Sequence, residues 1–234
     1  MANKERTEHV FGKKRPSKSK GFGLHFKPKR DTHFRPLPDP TGASPFHLDL
    51  KGIIPDADYK LIARKKLTLH INGDMGGIND AVPQTLVAKG MEQDFDSSAD
   101  ASANPAFLYV LGDCVYFNGE VKDYYSQFYH PYEFFPAPIF AVPGNHDGEN
   151  LETDQTLDGF VRNFCAPAPV KMPESGDSGR TAMTQPNVYW TLLTPQASFV
   201  GLYSNVPEGG QVKPPQSDWL VDQLKTLPTD LPCC

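Results

Sequence analysis

Short apolar runs that stop at glycine set the pattern of this chain. Residues 107–111 (FLYVL) and 138–142 (PIFAV) are uninterrupted stretches of strand length, and residues 67–71 (LTLHI) form a third, less pure one. The first two run into Gly112-Asp113-Cys114-Val115-Tyr116 and Gly144-Asn145-His146-Asp147, the third into Asn72-Gly73-Asp74-Met75-Gly76-Gly77. Continuous apolar runs predict strands covered on both faces, as in a parallel sheet. Helix-length segments separate them, so the pattern predicts an α/β fold. A buried strand that breaks at glycine delivers its next side chains to the carboxyl edge of the sheet, where open α/β folds bind ligands.

The remaining pattern fills in the other elements. Residues 46–66 predict an edge strand or hairpin, with Asp56 and Asp58 as turn formers. Residues 79–92 predict a helix with Pro83 near its start, its N-terminus directed at the ligand edge, where helix ends favour anions. The acidic, small-residue segment 94–104 predicts a mobile surface loop. The aromatic stripe in 121–135 predicts core packing, with one or two rings lining a cleft as the alternative. A short helix is expected over 153–164, a loop and lid over 165–186, and paired strands over 189–194 and 198–203. Residues 217–226 predict a helix capped by Ser217 or Asp218 that buries Trp219, Leu220 and Leu224.

Charge changes the picture at one end. Residues 1–36 hold 11 of the 23 basic residues and three of the 28 acidic ones, a net +8 against −13 for the remainder. So basic a stretch, including Lys13-Lys14-Arg15, is too polar to fold alone and predicts a solvated tail. Contact with a polyanion is the functional alternative. Pro36, Pro38, Pro40 and Gly42 read as a linker, which divides the chain into a tail and linker over 1–44 and a folded domain over 45–234. No run approaches the ~20 apolar residues of a membrane span. The start lacks the apolar core of a secretory signal, so the cytoplasm is the expected compartment. With four cysteines and no such signal, disulfides are not expected.

The polar residues at the three breaks supply the candidate chemistry. Asp, Asn, His and Tyr offer carboxylate, amide, imidazole and phenolate donors suited to hard or borderline metal ions. Gly73-Asp74-Met75-Gly76, Gly112-Asp113-Cys114-Val115-Tyr116 and Gly144-Asn145-His146-Asp147, in that order, resemble the first three motifs of calcineurin-like metallophosphoesterases. The Tyr of the second motif and the Gly closing the first are similar to the purple-acid-phosphatase-like branch. The resemblance covers about residues 67–226 and implies a four-layer α/β/β/α sandwich. It implies two metal ions: Asp74 and Tyr116 on the first, Asp113 bridging, and Asn145 on the second. A tyrosinate ligand implies Fe(III) paired with Zn, Mn or Fe(II). His146 is implied as the outer-shell group that contacts the phosphate and protonates the leaving oxygen, with Asp147 orienting it. The implied activity is hydrolysis of phosphomonoesters or diesters. The branch is often secreted, against the compartment expected from the N-terminus.

One departure accompanies the resemblance. The family closes its site with a later histidine and a Gly-His-x-His pair, whereas the seven histidines here end at His146. The expectation is a fold lacking its C-terminal part. His70 is considered as a substitute ligand, although strand alternation argues against it, and Cys233-Cys234 as adventitious zinc ligands. Two function classes follow: a metal-dependent phosphoesterase, and a phosphoesterase-like fragment that acts by binding, through its basic tail, or is inactive.

Overall fold

The computed structural model describes residues 35–77, 80–148, 156–204 and 210–234. The basic tail up to residue 34 lies outside the described residues, as do the expected start of the first long helix at Asn79 and residues 153–155. The described residues belong to one compact unit.

Two three-stranded sheets make up its centre. One joins β2 (His70–Asn72), β3 (Leu108–Val110) and β4 (Ile139–Ala141), all parallel. The other orders β1 (His47–Asp49), β5 (Trp190–Leu193) and β6 (Ser198–Gly201), with β1 parallel and β6 antiparallel to β5. Side chains alternate across a strand, so β3 and β4 each feed two cores. Leu108, Val110, Ile139 and Ala141 pack with Ala88, Phe128, Phe160 and Phe164 of the helical layer. Tyr109 and Phe140 turn the other way, onto Trp190, Leu192 and Phe199 of the second sheet. Outside that sheet lies α5 (Pro214–Thr226), whose Gln223 meets His47 and Thr191. The layers thus run α/β/β/α, as the resemblance implied. Among the described residues no helix is long and apolar enough to cross a membrane.

Several elements differ from the sequence reading. After β1, the chain forms a 3-10 turn and then α1 (Asp56–Arg64), not a hairpin. Pro55 precedes the first turn, where Asp56 and Asp58 meet the positive end of the helix dipole, and Asp56 pairs with Lys60 at 2.5 Å. The aspartates therefore start a helix, not a turn. Helix α2 (Val82–Glu92) forms as expected, but it buries Gln84 and Ala88 and leaves Leu86 exposed. In 94–104, Asp96 and Asp100 accept bonds from Ser98 and Ser102, and Lys65 reaches Asp100, so this segment is a series of bonded turns. Helix α5 starts three residues earlier than expected because Pro214 and Pro215 suit the first helical positions, where no N–H is needed. It buries Gln216, Trp219 and Gln223, while Leu224 is 59% exposed.

The segment expected to form a lid lies elsewhere. Arg180 donates to the carbonyls of Phe135 and Ala137 at 2.6 and 3.0 Å, just before β4 begins. A cavity of about 740 Å³ there is lined by Pro138, Ile139, Arg180 and Thr181. That is the amino end of the parallel sheet, opposite the edge that carries the three glycine breaks. The aromatic run does pack as core: Tyr124, Phe128, Tyr129, Tyr132 and Phe135 are buried, and Tyr125–Tyr129 is a π-helical turn. Helix α4 (Asp158–Phe164) supplies Phe160 and Phe164 to the same cluster.

Candidate metal centre

Because β2, β3 and β4 are parallel, their carboxyl ends share one edge and their loops meet there. Asp74 and Asp113 occupy equivalent places, each directly after a glycine, and both have left-handed backbone, with φ of 50° and 52°. A non-glycine residue in that region carries strain of about 1–3 kcal/mol, tolerated where its side chain must point to one place. The loops brace one another: Asp74 N–H donates to Gly112 O at 3.2 Å and Met75 N–H to Asp113 O at 3.3 Å. The glycines make this approach possible. Gly112, at φ 104°, would place a Cβ 2.9 Å from Gly144 Cα, and a Cβ on Gly144 would collide with the Asp113 carboxylate and amide.

The two carboxylates converge on a single hydroxyl. Tyr116 Oη lies 2.7 Å from Asp74 Oδ1 and 3.2 Å from Asp113 Oδ2. A phenol has one proton, so it can fully satisfy only one of them at a time. Burial raises the Asp113 carboxyl, nearby His146 works in the opposite direction, and Asp74 adds like-charge repulsion. Burial, together with the bonds to Asp74 and Asp113, holds the Tyr116 hydroxyl far above the ordinary tyrosine value. The metal-free cluster therefore keeps the phenol protonated and crowds two acidic groups about it.

His146 adjoins the cluster at the start of α3 (Asn145–Gly148). Its backbone N–H donates to Asp113 Oδ1 at 3.1 Å, and its ring lies 4.6 Å from that of Tyr116. Nδ1 sits 2.6 Å from the carbonyl of Phe117. A carbonyl only accepts, so Nδ1 carries a proton, and the Phe117 contact leaves Nε2 uncommitted by it. The Phe117 carbonyl thus does what was expected of Asp147. Asp147 is fully buried, and its carboxylate accepts from the backbone N–H groups of Cys114, Val115 and Gly144 at 3.1, 3.1 and 2.8 Å. It ties the second and third glycine loops together from beneath. Burial pushes its carboxyl up to about 7, against the lowering effect of those amides. Asn145 is exposed on the same edge.

Asp74, Asp113, Tyr116 and His146 are therefore brought together, Asn145 flanks them, and Asp147 holds their backbone. Two residues absent from the sequence reading complete the surroundings: Phe117, through its carbonyl, and Gln127, whose amide bonds both backbone groups of Tyr116. Gln127 lies within the aromatic run, and no local pattern ties it to residue 116. His70 is no substitute ligand: it begins β2, two residues before the carboxyl end, with Nε2 2.9 Å from Asp94. Cys233 bridges to Ser198 on the other sheet. Among the described residues no three His, Cys, Asp or Glu are placed to hold one metal ion, so His146 adjoins Asp74 and Asp113 without completing a ligand set with them, and Tyr116 is the group the two carboxylates share.

The family model for calcineurin-like phosphoesterases matches residues 67–222, two thirds of the chain. The chain belongs to the calcineurin-like phosphoesterases. The matched span opens at the strand leading to Asp74 and closes within α5, so it takes in all three glycine loops and both sheets' central strands. Its class is that of metal-dependent phosphoesterases, hydrolases that typically bind divalent metals. No curated protein matches the chain.

Proposed function

We propose that this calcineurin-like phosphoesterase hydrolyses phosphate esters at a dinuclear centre of the purple-acid-phosphatase type. The observation that carries this reading is the Tyr116 hydroxyl placed between the Asp74 and Asp113 carboxylates. The donors fit hard cations in chemistry, since carboxylate, phenol and amide all offer oxygen. They fit in charge as well, because a cation relieves the repulsion that Asp113 feels from Asp74. Asp74 and Tyr116 would hold the first ion, Asp113 would bridge, and Asn145 would hold the second. Fe(III) with Zn, Mn or Fe(II) suits a tyrosinate-containing set.

When bound, such ions supply Lewis-acid polarisation of the phosphoryl group. The chain's own residues do the rest. His146, held at Nδ1–H by the Phe117 carbonyl, would present Nε2 to the ester; in its doubly protonated form it gives the Nε2 proton to the leaving oxygen and is left as the neutral Nδ1–H ring. Asp147 acts through the backbone it anchors, keeping the Asp113 and His146 loops in register. Residues 1–36 add a further proposed contact, with polyanions, read as salt-sensitive nucleic-acid binding that disappears when they are deleted.

The test is turnover of p-nitrophenyl phosphate by the full chain with iron, zinc or manganese added. Wild type should turn over, and Asp113→Asn should fall on the order of 100-fold, about 3 kcal/mol of transition-state stabilisation. Phosphate binding with no turnover under any metal would replace hydrolysis by a binding role.

A further inference from the structure

We infer that Gln127 is a positioning residue of the metal centre, acting on it through the backbone of Tyr116. The inference rests on the metal-binding reading above. Gln127 is 8% exposed and sits mid-way in the π-helical turn Tyr125–Tyr129. Its Oε1 accepts from Tyr116 N–H at 2.8 Å, and its Nε2 donates to Tyr116 O at 2.6 Å. The two backbone partners fix which way the amide faces, since one can only donate and the other only accept. Gln127 is itself held: Gln84 of α2 donates to its carbonyl at 2.5 Å. A continuous set of bonds thus runs from α2, through the π turn and the Tyr116 backbone, to a phenol in contact with both Asp74 and Asp113.

The device recurs, which separates its structural part from its effect on the site. Gln185 pairs with both backbone groups of Ala141, and Gln216 with both of Tyr203. In each case one glutamine amide satisfies both the N–H and the C=O of a buried residue. Only Gln127 does so for a residue whose side chain enters the carboxylate cluster. The chemistry is specific to glutamine: asparagine is one methylene short, glutamate cannot donate, and methionine fills the space but bonds neither group. π turns are rare and occur frequently at functional sites. This one brings residue 127 level with residue 116.

The experiment titrates the full metal-stripped chain with Mn²⁺ by calorimetry, alongside the thermal midpoint of each metal-free variant. Gln127→Met should weaken Mn²⁺ binding about 10–100-fold, the usual effect of losing a group that orients a metal ligand. Gln127→Glu, which keeps the acceptor and loses the donor, should also weaken it. Gln216→Met should lower the thermal midpoint yet bind Mn²⁺ as wild type does, which a purely structural role for Gln127 would not predict. With Fe(III), the tyrosinate absorption band should shift in Gln127→Met and stay in place in Gln216→Met. If Gln127→Met does not fold, Gln84→Met loosens the same brace from behind and should weaken binding several-fold. Wild-type affinity in the folded Gln127 and Gln84 variants overturns this inference alone. A wild type that takes no Mn²⁺ overturns the metal-binding reading and this inference with it.

Discussion

The two ends of the parallel sheet hold charge in opposite ways. At the amino end, Arg180 is enclosed, and burial lowers it to about 10. Its guanidinium is nevertheless bonded to the carbonyls of Phe135 and Ala137, groups that cannot move or ionise. At the carboxyl end, Asp74 and Asp113 sit on left-handed backbone and face each other across one phenol. The first arrangement sets a charge against fixed dipoles at both terminal nitrogens, with Nε left without a partner among the described residues, and it ties down the loop it belongs to. The second sets two carboxylates on one hydroxyl, which can donate to only one of them at a time. Burial is common to both ends; what distinguishes Asp74 and Asp113 is left-handed backbone and a hydroxyl shared between them.

Substitutions at each end test this difference. The largest effect is expected from Gly144→Ala, whose Cβ collides with Asp113. It should cost about 2–4 kcal/mol by chemical denaturation and displace the carboxylate, with Mn²⁺ binding lost as well. Asp147→Asn comes next. An amide cannot accept from all three N–H groups that meet Asp147, and its NH₂ would face at least one of them. A loss of about 3 kcal/mol is expected, with metal binding weakened indirectly. Arg180→Met should cost about 2 kcal/mol by leaving two carbonyls unpaired, while Mn²⁺ affinity stays at the wild-type value. Equal metal affinities in Gly144→Ala and Arg180→Met would erase the contrast between the two ends.

The smallest effect concerns pH. Burial works to raise Glu174, but the bonds from Arg162 and Asn163 outweigh it and hold the carboxyl below its ordinary value. A carboxylate depressed in the folded state contributes stability above about 4.3, the free glutamate value, and loses it as pH falls through the folded pKa. Glu174→Gln should therefore flatten the acid limb of stability against pH by modestly lowering stability at neutral pH, with the two curves converging in acid, where Glu174 is protonated in the wild type. An unchanged acid limb would count against the Arg162–Glu174 pair as a stabilising contact.

Where the sequence reading succeeded, the signal was local. The apolar runs before Gly112 and Gly144 became β3 and β4, and the glycines became the close contact between their loops. Where it failed, a distant partner decided. Asp56 and Asp58 look like turn residues until Pro55 and Lys60 place them in a first helical turn. The loop expected over the site was drawn to the other end of the sheet by the carbonyls that Arg180 binds. Asp147 looks like a partner of His146 because they are adjacent. Adjacent residues on a helix point some 100° apart, and the free amides of two loops claimed its carboxylate instead.

By itself, the sequence determined the α/β class, the three parallel strands and the residue types delivered to their ends, because periodicity and glycine breaks act over a few residues. Tertiary structure alone decided which of those residues meet: the Tyr116 hydroxyl between Asp74 and Asp113, the Phe117 carbonyl on His146, and the Gln127 amide beneath Tyr116. Those contacts join loops from separate strands. Hydrogen-bond satisfaction across such distances is settled only when the sheets and the helical layer pack.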